Sequence, residues 1–210
     1  MNVVTRSGLR YYVVDGADYE SVTTVLSILS ESDRLERWRG DIGNEEADRI
    51  RDEAASLGSL VHAAAADPAG YDLSAISEDE SELAQIVAAY RAWSDAYVER
   101  VIAVEQTVVS RKYRYAGTLD AVVLMRGDTL PTLVDIKTSK AVYKKFDLQT
   151  AAYWGALAET GIQCGRRLIV RLGKGEDAGR VFTKEHYDHQ STFVKFVYAL
   201  SIFRWMKNGA

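Results

Sequence analysis

Blocks of apolar residues with helical spacing alternate with β-rich blocks along this chain. After one short strand, the N-terminal part is mainly helical by this criterion. Asn44 followed by Glu45 and Glu46 is typical of a helix start, because acids in the first turn interact favourably with the positive N-terminal end of the helix dipole. The elements predicted there are a strand at Leu9–Val14 turned by Asp15-Gly16, a helix capped by Ser21 or Thr23 that ends at Leu29, a long helix from Asn44 through His62 into the alanines, and a loop at Asp67-Pro68-Ala69-Gly70.

The rest of the chain alternates between amphipathic helices and strands. The predicted elements are a helix over 80–98, strands at Val101–Val109, Tyr113–Met125 and Thr132–Lys137, a helix at Leu148–Thr160, strands at Leu168–Leu172 and Arg180–Thr183, and a helix from about Asp188 to Lys207. The order helix, three strands, helix, strand suits a mixed sheet flanked by helices. The sequence therefore predicts one α/β domain over 1–210, with a strand and helical extension at 1–78 and a core at 79–210.

Charge is distributed unevenly over a chain of 210 residues whose net charge is −4. Residues 1–98 carry 8 Lys/Arg and 19 Asp/Glu, a net charge of −11. Residues 99–175 carry 13 Lys/Arg and 7 Asp/Glu, a net charge of +6. The hydrophobic content of 47% is enough for a sizeable core. A basic third fits a polyanionic substrate such as DNA, although an uneven solvated surface is the alternative.

Cysteine and hydropathy exclude several classes of protein. Cys164 is the one cysteine, so the chain can form neither an internal disulfide nor a Cys₄ zinc site nor an iron–sulfur cluster. The N-terminus has no secretory signal, and the uncharged run from Ala54 to Ala66 is too short to span a membrane. We therefore expect a cytoplasmic protein without a membrane partner.

Three charged residues of the β-rich part form the candidate chemistry. Asp135 and Lys137 are two apart in a predicted strand, so their side chains share one face. If the neighbouring strand brings Asp120 beside Asp135, two carboxylates would repel each other unless a cation lies between them. Hard oxygen ligands suit Mg²⁺ or Mn²⁺, ions that serve phosphodiester cleavage. The alternative is that both acids are solvated strand residues.

Four motifs in order resemble the PD-(D/E)xK nuclease superfamily, and most closely its RecB-type members, which include phage exonucleases and the mitochondrial genome maintenance exonuclease. The motifs are Gly58-Ser59-Leu60-Val61-His62, Gly117-Thr118-Leu119-Asp120, Asp135-Ile136-Lys137-Thr138 and Gln149-Thr150-Ala151-Ala152-Tyr153. Each motif is weak alone, and their shared order and spacing carry the resemblance. It implies a restriction-endonuclease-like mixed central sheet flanked by helices. Several RecB-type members hold an iron–sulfur cluster with four cysteines, which this chain lacks.

The resemblance implies a metal site. Asp120 and Asp135 correspond to the acids that bind Mg²⁺ or Mn²⁺, and the backbone carbonyl of Ile136 would complete the ligand shell. His62 corresponds to an imidazole ligand, whereas a histidine in an alanine-rich helix is otherwise a core residue. Glu105 lies where some relatives place a further acid, but an exposed strand glutamate is the favoured interpretation.

The resemblance also implies catalytic and substrate-binding residues. Lys137 would hold or deprotonate the attacking water or neutralise charge on the phosphorane. Gln149 and Tyr153 share a helical face and would contact the substrate strand or orient the lysine. Alternatively, Tyr153 is a core residue and Gln149 is exposed. The candidate phosphate-binding residues, for which solvated charge is the alternative, are Arg111, Lys112, Arg114, Ser139 and Lys140.

These expectations together predict a metal-dependent DNA exonuclease that acts on DNA ends in recombination, replication or repair, in a phage or its host. A single-strand annealing or binding protein is an expected partner besides DNA. The alternatives are a structure- or single-strand-specific endonuclease with the same metal site, an inactive nucleic-acid-binding module, and an adaptor that uses the acidic half of the chain.

Overall fold

The computed structural model describes residues 1–29, 32–66 and 81–208. The predicted loop at Asp67–Gly70 and the predicted boundary between residues 78 and 79 lie outside these ranges. No helix in the described part is long and apolar enough to cross a membrane. The strands are β1 Asn2–Arg6, β2 Leu9–Val14, β3 Ala17–Ser21, β4 Val98–Ser110, β5 Tyr115–Met125, β6 Thr132–Lys137, β7 Arg166–Leu172 and β8 Val181–His186. The helices are α1 Val22–Val25, α2 Ser32–Ile42, α3 Asn44–Ala66, α4 Ser81–Tyr97, α5 Lys144–Glu159 and α6 His189–Asn208.

One mixed sheet joins the described strands, with β5 at its centre. β4 pairs antiparallel with β5 along one edge. The other edge is shared: β3 pairs in parallel with Tyr115 and Ala116 at the start of β5, and β6 pairs antiparallel with Ala121–Val123 near its end. The segment Gly117–Asp120 lies between these two ladders. The sheet is therefore open along one edge of its central strand, at the segment that ends in Asp120.

Helices cover both faces of the sheet, and each face has its own hydrophobic core. Helices α1, α5 and α6 pack on one face, around residues such as Tyr115, Leu119 and Phe196. Helices α3 and α4 pack on the other, around residues such as Val61 and Ile86. Apolar residues of β6 alternate between the two cores, as expected for a strand that is buried on both sides.

Several predicted boundaries were wrong in detail. The hairpin turn at Asp15-Gly16 is present, and both residues have positive φ (50° and 78°), the geometry of a tight two-residue turn. Strands β1 and β3 and helix α2 were not predicted, because their sequences are too polar for a clear apolar period. Helix α5 begins at Lys144, one turn before the predicted Leu148. Strands β4 and β8 extend beyond their predicted ends, since paired backbone continues after the apolar run stops.

Candidate active site

The open edge of β5 places Asp120 next to the end of β6. One oxygen of its carboxylate accepts a hydrogen bond from the Ile136 backbone N–H at 2.5 Å. This bond joins β5 and β6 where their ladder stops. The Ile136 N–H thus holds Asp120, and the metal-ligand role of the Ile136 carbonyl stays a prediction.

Asp135 and Lys137 lie on the same face of β6, as the spacing predicted. Asp135 is fully buried, and its Oδ2 lies 2.7 Å from Lys137 Nζ. Burial and the charge of Asp120 raise the pKa of Asp135 to about 6, although Lys137 opposes the shift. Burial disfavours the Lys137 ammonium, but Asp135 and Asp120 outweigh it and raise the pKa of the lysine. Lys137 is therefore a cation at neutral pH.

His62 of α3 and Glu105 of β4 lie on the other side of Asp120. His62 Nδ1 is 3.2 Å from Asp120 Oδ1 and 3.8 Å from Glu105 Oε1. One ligand atom from each of these three residues falls within 4.8 Å of the others. Burial lowers the pKa of His62, yet the Asp120 hydrogen bond and charge raise it overall. Burial would raise the pKa of Asp120, but His62 and Lys137 hold it below its usual value.

Glu105 is half exposed, which agrees with the favoured interpretation of an exposed strand glutamate. It nevertheless reaches the site, the role that the sequence analysis gave as the alternative. It lies between the pairs Val104–Ala121 and Gln106–Leu119, and therefore beside Asp120. Its φ is +46°, an uncommon conformation for a residue other than glycine. Such local irregularities re-aim side chains next to active sites.

Helix α5 supplies Gln149 and Tyr153 from one face. Gln149 Nε2 donates to Asp135 Oδ1 at 3.3 Å and to the Tyr153 hydroxyl at 3.1 Å. Burial and the two aspartates raise the pKa of Tyr153 well above its usual value, so the phenol stays neutral. A side chain at Gly117 would place its Cβ 2.5 Å from a Tyr153 ring carbon. The glycine is therefore required for the tyrosine to pack against β5.

The sequence prediction missed a polar contact from the N-terminal hairpin. The buried Tyr12 hydroxyl lies 3.0 Å from Thr118 Oγ1 and accepts a hydrogen bond from Arg10 at 3.0 Å. Thr118 is two residues before Asp120 on the same strand, so both side chains share a face. No motif near Tyr12 signals this contact, because it joins residues 106 positions apart.

The candidate phosphate-binding residues have different environments. Arg111 is paired with Asp15 at 2.8 Å, and its backbone N–H donates to Glu159 of α5 at 2.9 Å. The Lys112 N–H also donates to Glu159, and the Arg114 carbonyl accepts from Arg204. These contacts fix the hairpin between β4 and β5. In the loop after β6, Ser139 Oγ donates to the Ala141 carbonyl at 2.7 Å, and Lys140 is exposed.

The residues present fit a divalent cation. His62, Glu105 and Asp120 supply one nitrogen and two carboxylate groups within reach of one ion. Asp135 adds a buried Oδ2 that faces the Lys137 ammonium and, within the described part of the chain, makes no hydrogen bond of good geometry. Gly58 approaches this region too: a Cβ added to it would lie 3.5 Å from Thr138 Oγ1, an ordinary contact that other small residues would tolerate.

Solved structures with a similar fold include exonucleases. No protein-family model matches the chain, and no curated protein matches its sequence. A candidate exonuclease from Eubacterium rectale superposes with a TM-score of 0.51 at 13% identity, over 74% of this chain and 68% of that one. An alkaline exonuclease from Laribacter hongkongensis gives a TM-score of 0.47 at 11% identity, over 91% and 88%. The predicted restriction-endonuclease-like fold, a mixed central sheet flanked by helices, is confirmed.

Proposed function

We propose that this chain is a Mg²⁺- or Mn²⁺-dependent deoxyribonuclease of the RecB-like PD-(D/E)xK type, and that it degrades DNA from free ends. The observation that carries the proposal is the buried pair Asp135 and Lys137, which lies beside Asp120 at the open edge of β5. A buried carboxylate with a raised pKa next to a fixed ammonium is typical of a reacting site. The exonuclease neighbours support the same class of reaction.

Asp120, Asp135, His62 and Glu105 would hold the metal. When bound, the ion would supply the Lewis acidity that activates water and neutralises phosphate charge. His62 would have to bind as a neutral imidazole, so it gives up the proton that its pairing with Asp120 favours. Ile136 fixes Asp120 through its N–H and keeps the carboxylate in place.

Lys137 acts as a fixed positive charge in this proposal. Its raised pKa makes it a poor base, so we assign it to the charge that develops on the phosphate oxygens. Gln149 donates to the Asp135 carboxylate and so orients the acid toward the site. Tyr153 stays neutral and holds Gln149 through its hydroxyl.

Linear and covalently closed circular DNA of the same sequence test the proposal. The protein should degrade linear DNA when Mg²⁺ or Mn²⁺ is present, and excess chelator should stop the reaction. Lys137→Met should remove activity, while Lys184→Met, at an exposed position of β8, should keep it. Cleavage in excess chelator would exclude a metal-dependent reaction. Cleavage of closed circles at the rate of linear DNA would replace the exonuclease with an endonuclease.

A further inference from the structure

Helix α6 carries large apolar residues on its outward side as well as on the side that faces the core. Its inward residues, including Phe196 and Leu200, are buried against α5 and the sheet. The outward side exposes Lys195 and Ser201 and five large apolar residues, which are Val194 at 37% exposure, Tyr198 at 64%, Ile202 at 52%, Trp205 at 76% and Met206 at 52%. A helix that is hydrophobic all round is normally covered on all sides. Contiguous exposed patches of this kind mark interaction surfaces.

The outward residues form a ridge beside a groove. Val194, Tyr198, Ile202 and Met206 are spaced by four, which is the row that packs between the rows of another helix. Next to this ridge is a cavity of about 300 Å³, whose far wall is formed by Ile28, Leu29 and Leu148. One face thus carries both a ridge and the groove that a similar ridge would fill.

We infer that this face is a self-association surface, on which α6 of one copy packs antiparallel against α6 of a second copy. In a two-fold interface the same patch occurs on both subunits, so it must be complementary to itself. A two-fold axis that crosses α6 near Leu200 places Tyr198 opposite Ile202 of the second copy and Val194 opposite its Met206. Each ridge then lies beside the other copy's groove.

Charge favours a second copy over a nucleic acid or a basic protein. From His189 to Asn208 the sequence has no Asp or Glu, so this helix offers nothing to a basic partner. Arg204 and Lys207 are paired with Glu20, at 2.6 and 3.4 Å, so this acid offsets part of their charge. Lys195 lines the groove, and the antiparallel register places it against Trp205 of the second copy. A lysine over an indole ring is a favourable cation–π pair.

The two exposed aromatic residues of α6 supply part of the area that a dimer needs. Tyr198 and Trp205 alone offer roughly 200–350 Å² per copy, from their exposed fractions and the 150–250 Å² of a buried aromatic side chain. A standard interface buries about 800 Å² per partner. The aliphatic residues of the ridge and the walls of the groove supply further area on the same face.

Sedimentation velocity tests this inference without DNA or metal, so its result is independent of the proposed nuclease activity. The wild-type protein should sediment as a dimer of the 23.4 kDa chain. In a two-fold dimer, Ile202→Lys places one lysine on each side of the interface. It should raise the dimer dissociation constant by at least about 30-fold, the effect of losing a central contact. Val3→Lys, at a similar exposure of 50% on β1, is the matched control and should leave the dimer intact.

Cysteine cross-linking tests the antiparallel register. Cys164 is buried, so it leaves the background low. The double variant Tyr198→Cys/Ile202→Cys should form a covalent dimer on mild oxidation, because position 198 of each copy lies opposite position 202 of the other. Either single variant should not, since in this register identical positions lie about 6 Å apart along the helix axis.

Three results would overturn the inference. They are a wild-type monomer at the highest soluble concentration, a dimer that Ile202→Lys leaves unchanged, and a closed ring of three or more copies. If Ile202→Lys fails to fold by circular dichroism, the cross-linking of the double variant decides.

Discussion

Helix α5 contacts two clusters of histidine and acids that differ in how their charges are matched. The first cluster is His62, Glu105 and Asp120 together with Asp135, which accepts a hydrogen bond from Gln149 of α5. The second cluster is Asp147 of α5 with His186 and Asp188. In each cluster a histidine and two acids hold ligand atoms within 4.8 Å of one another. A search for acidic groups alone would treat them as equivalent.

The second cluster already contains its cation. Arg167 is fully buried and donates to Asp147 Oδ1 at 2.6 Å and to Asp188 Oδ1 at 3.3 Å. Its other donors reach the Asp147 carbonyl, Thr150 Oγ1 and His189 Nδ1. The guanidinium thus faces five acceptors, three of which share the two N–H groups of Nη1. A metal ion would have to displace this charge, so the cluster is a structural ion network.

The first cluster differs because its acids outnumber its fixed cations. Its one fixed cation, Lys137, pairs with Asp135, whereas the charge in direct contact with Asp120 and Glu105 is the titratable imidazole of His62. The lesson is that the balance of fixed charge, rather than the number of acids, distinguishes a metal site from an ion network.

The largest expected effect is the loss of cleavage after substitution of an acid in the first cluster. Removing a group that merely orients a metal ligand costs about 10–100-fold, so Asp120→Asn or Asp135→Asn should cost at least about 100-fold in rate. Asp188→Asn, in the second cluster, should leave the rate unchanged. Single-turnover cleavage of linear DNA measures all three. Loss of activity in a folded Asp188→Asn variant would contradict the distinction between the clusters.

The two buried cations should differ in what they support: Arg167 mainly the stability of the protein, and Lys137 mainly its activity. Arg167→Met leaves two acids without their partner and should cost about 3–5 kcal/mol in the free energy of unfolding. Lys137→Met should cost less, on the order of 1–2 kcal/mol, because Asp135 already has a raised pKa and can take up a proton instead. Urea unfolding at neutral pH measures both. Equal losses would show that both clusters are structural.

Much of the first cluster could be predicted from the sequence, because its acids interrupt apolar strands. Asp135 follows Leu133 and Val134 in a buried run, and the two-residue period places Lys137 on the same face. Glu105 and Tyr12 could not be assigned in this way. The contact of Glu105 depends on its own positive φ in β4. The contact of Tyr12 joins it to Thr118, more than 100 positions later in the chain.

The second cluster and the outer face of α6 were also beyond prediction from the sequence. Arg167 precedes the apolar run of β7 and has the sequence pattern of a surface residue, yet it is fully buried, and Asp147 of α5 and Asp188, just before α6, pair with it. The predicted apolar face of α6 is confirmed by buried Phe193, Phe196 and Phe203. The spacing of its opposite face does not reveal whether a partner covers it.

Divalent ions should stabilise the protein through the first cluster only. A ligand at about 100 times its dissociation constant adds about 2.7 kcal/mol to the free energy of unfolding. We expect Mg²⁺ or Mn²⁺ to raise the melting temperature of the wild type and of Asp188→Asn, but not that of Asp120→Asn. Differential scanning fluorimetry with a metal titration measures this shift. A shift that survives Asp120→Asn and disappears in Asp188→Asn would move the metal to the second cluster.

The smallest expected effect is a pH dependence of stability from the second cluster. Burial, with Arg167 nearby, lowers the pKa of His186 below its ordinary 6.5, so the unfolded chain binds its proton first as pH falls. The contribution of His186 is therefore present above pH 6.5 and is lost as pH falls from there through the folded pKa. His189 shifts in the same direction, whereas the pKa of His62 is raised and works in the opposite sense. Urea unfolding between about pH 7.5 and 5 should show a shallower decline in stability for His186→Gln than for the wild type. A steeper decline in His186→Gln would mean that the imidazole is charged in the folded protein, and that the second cluster lacks the cation balance described above.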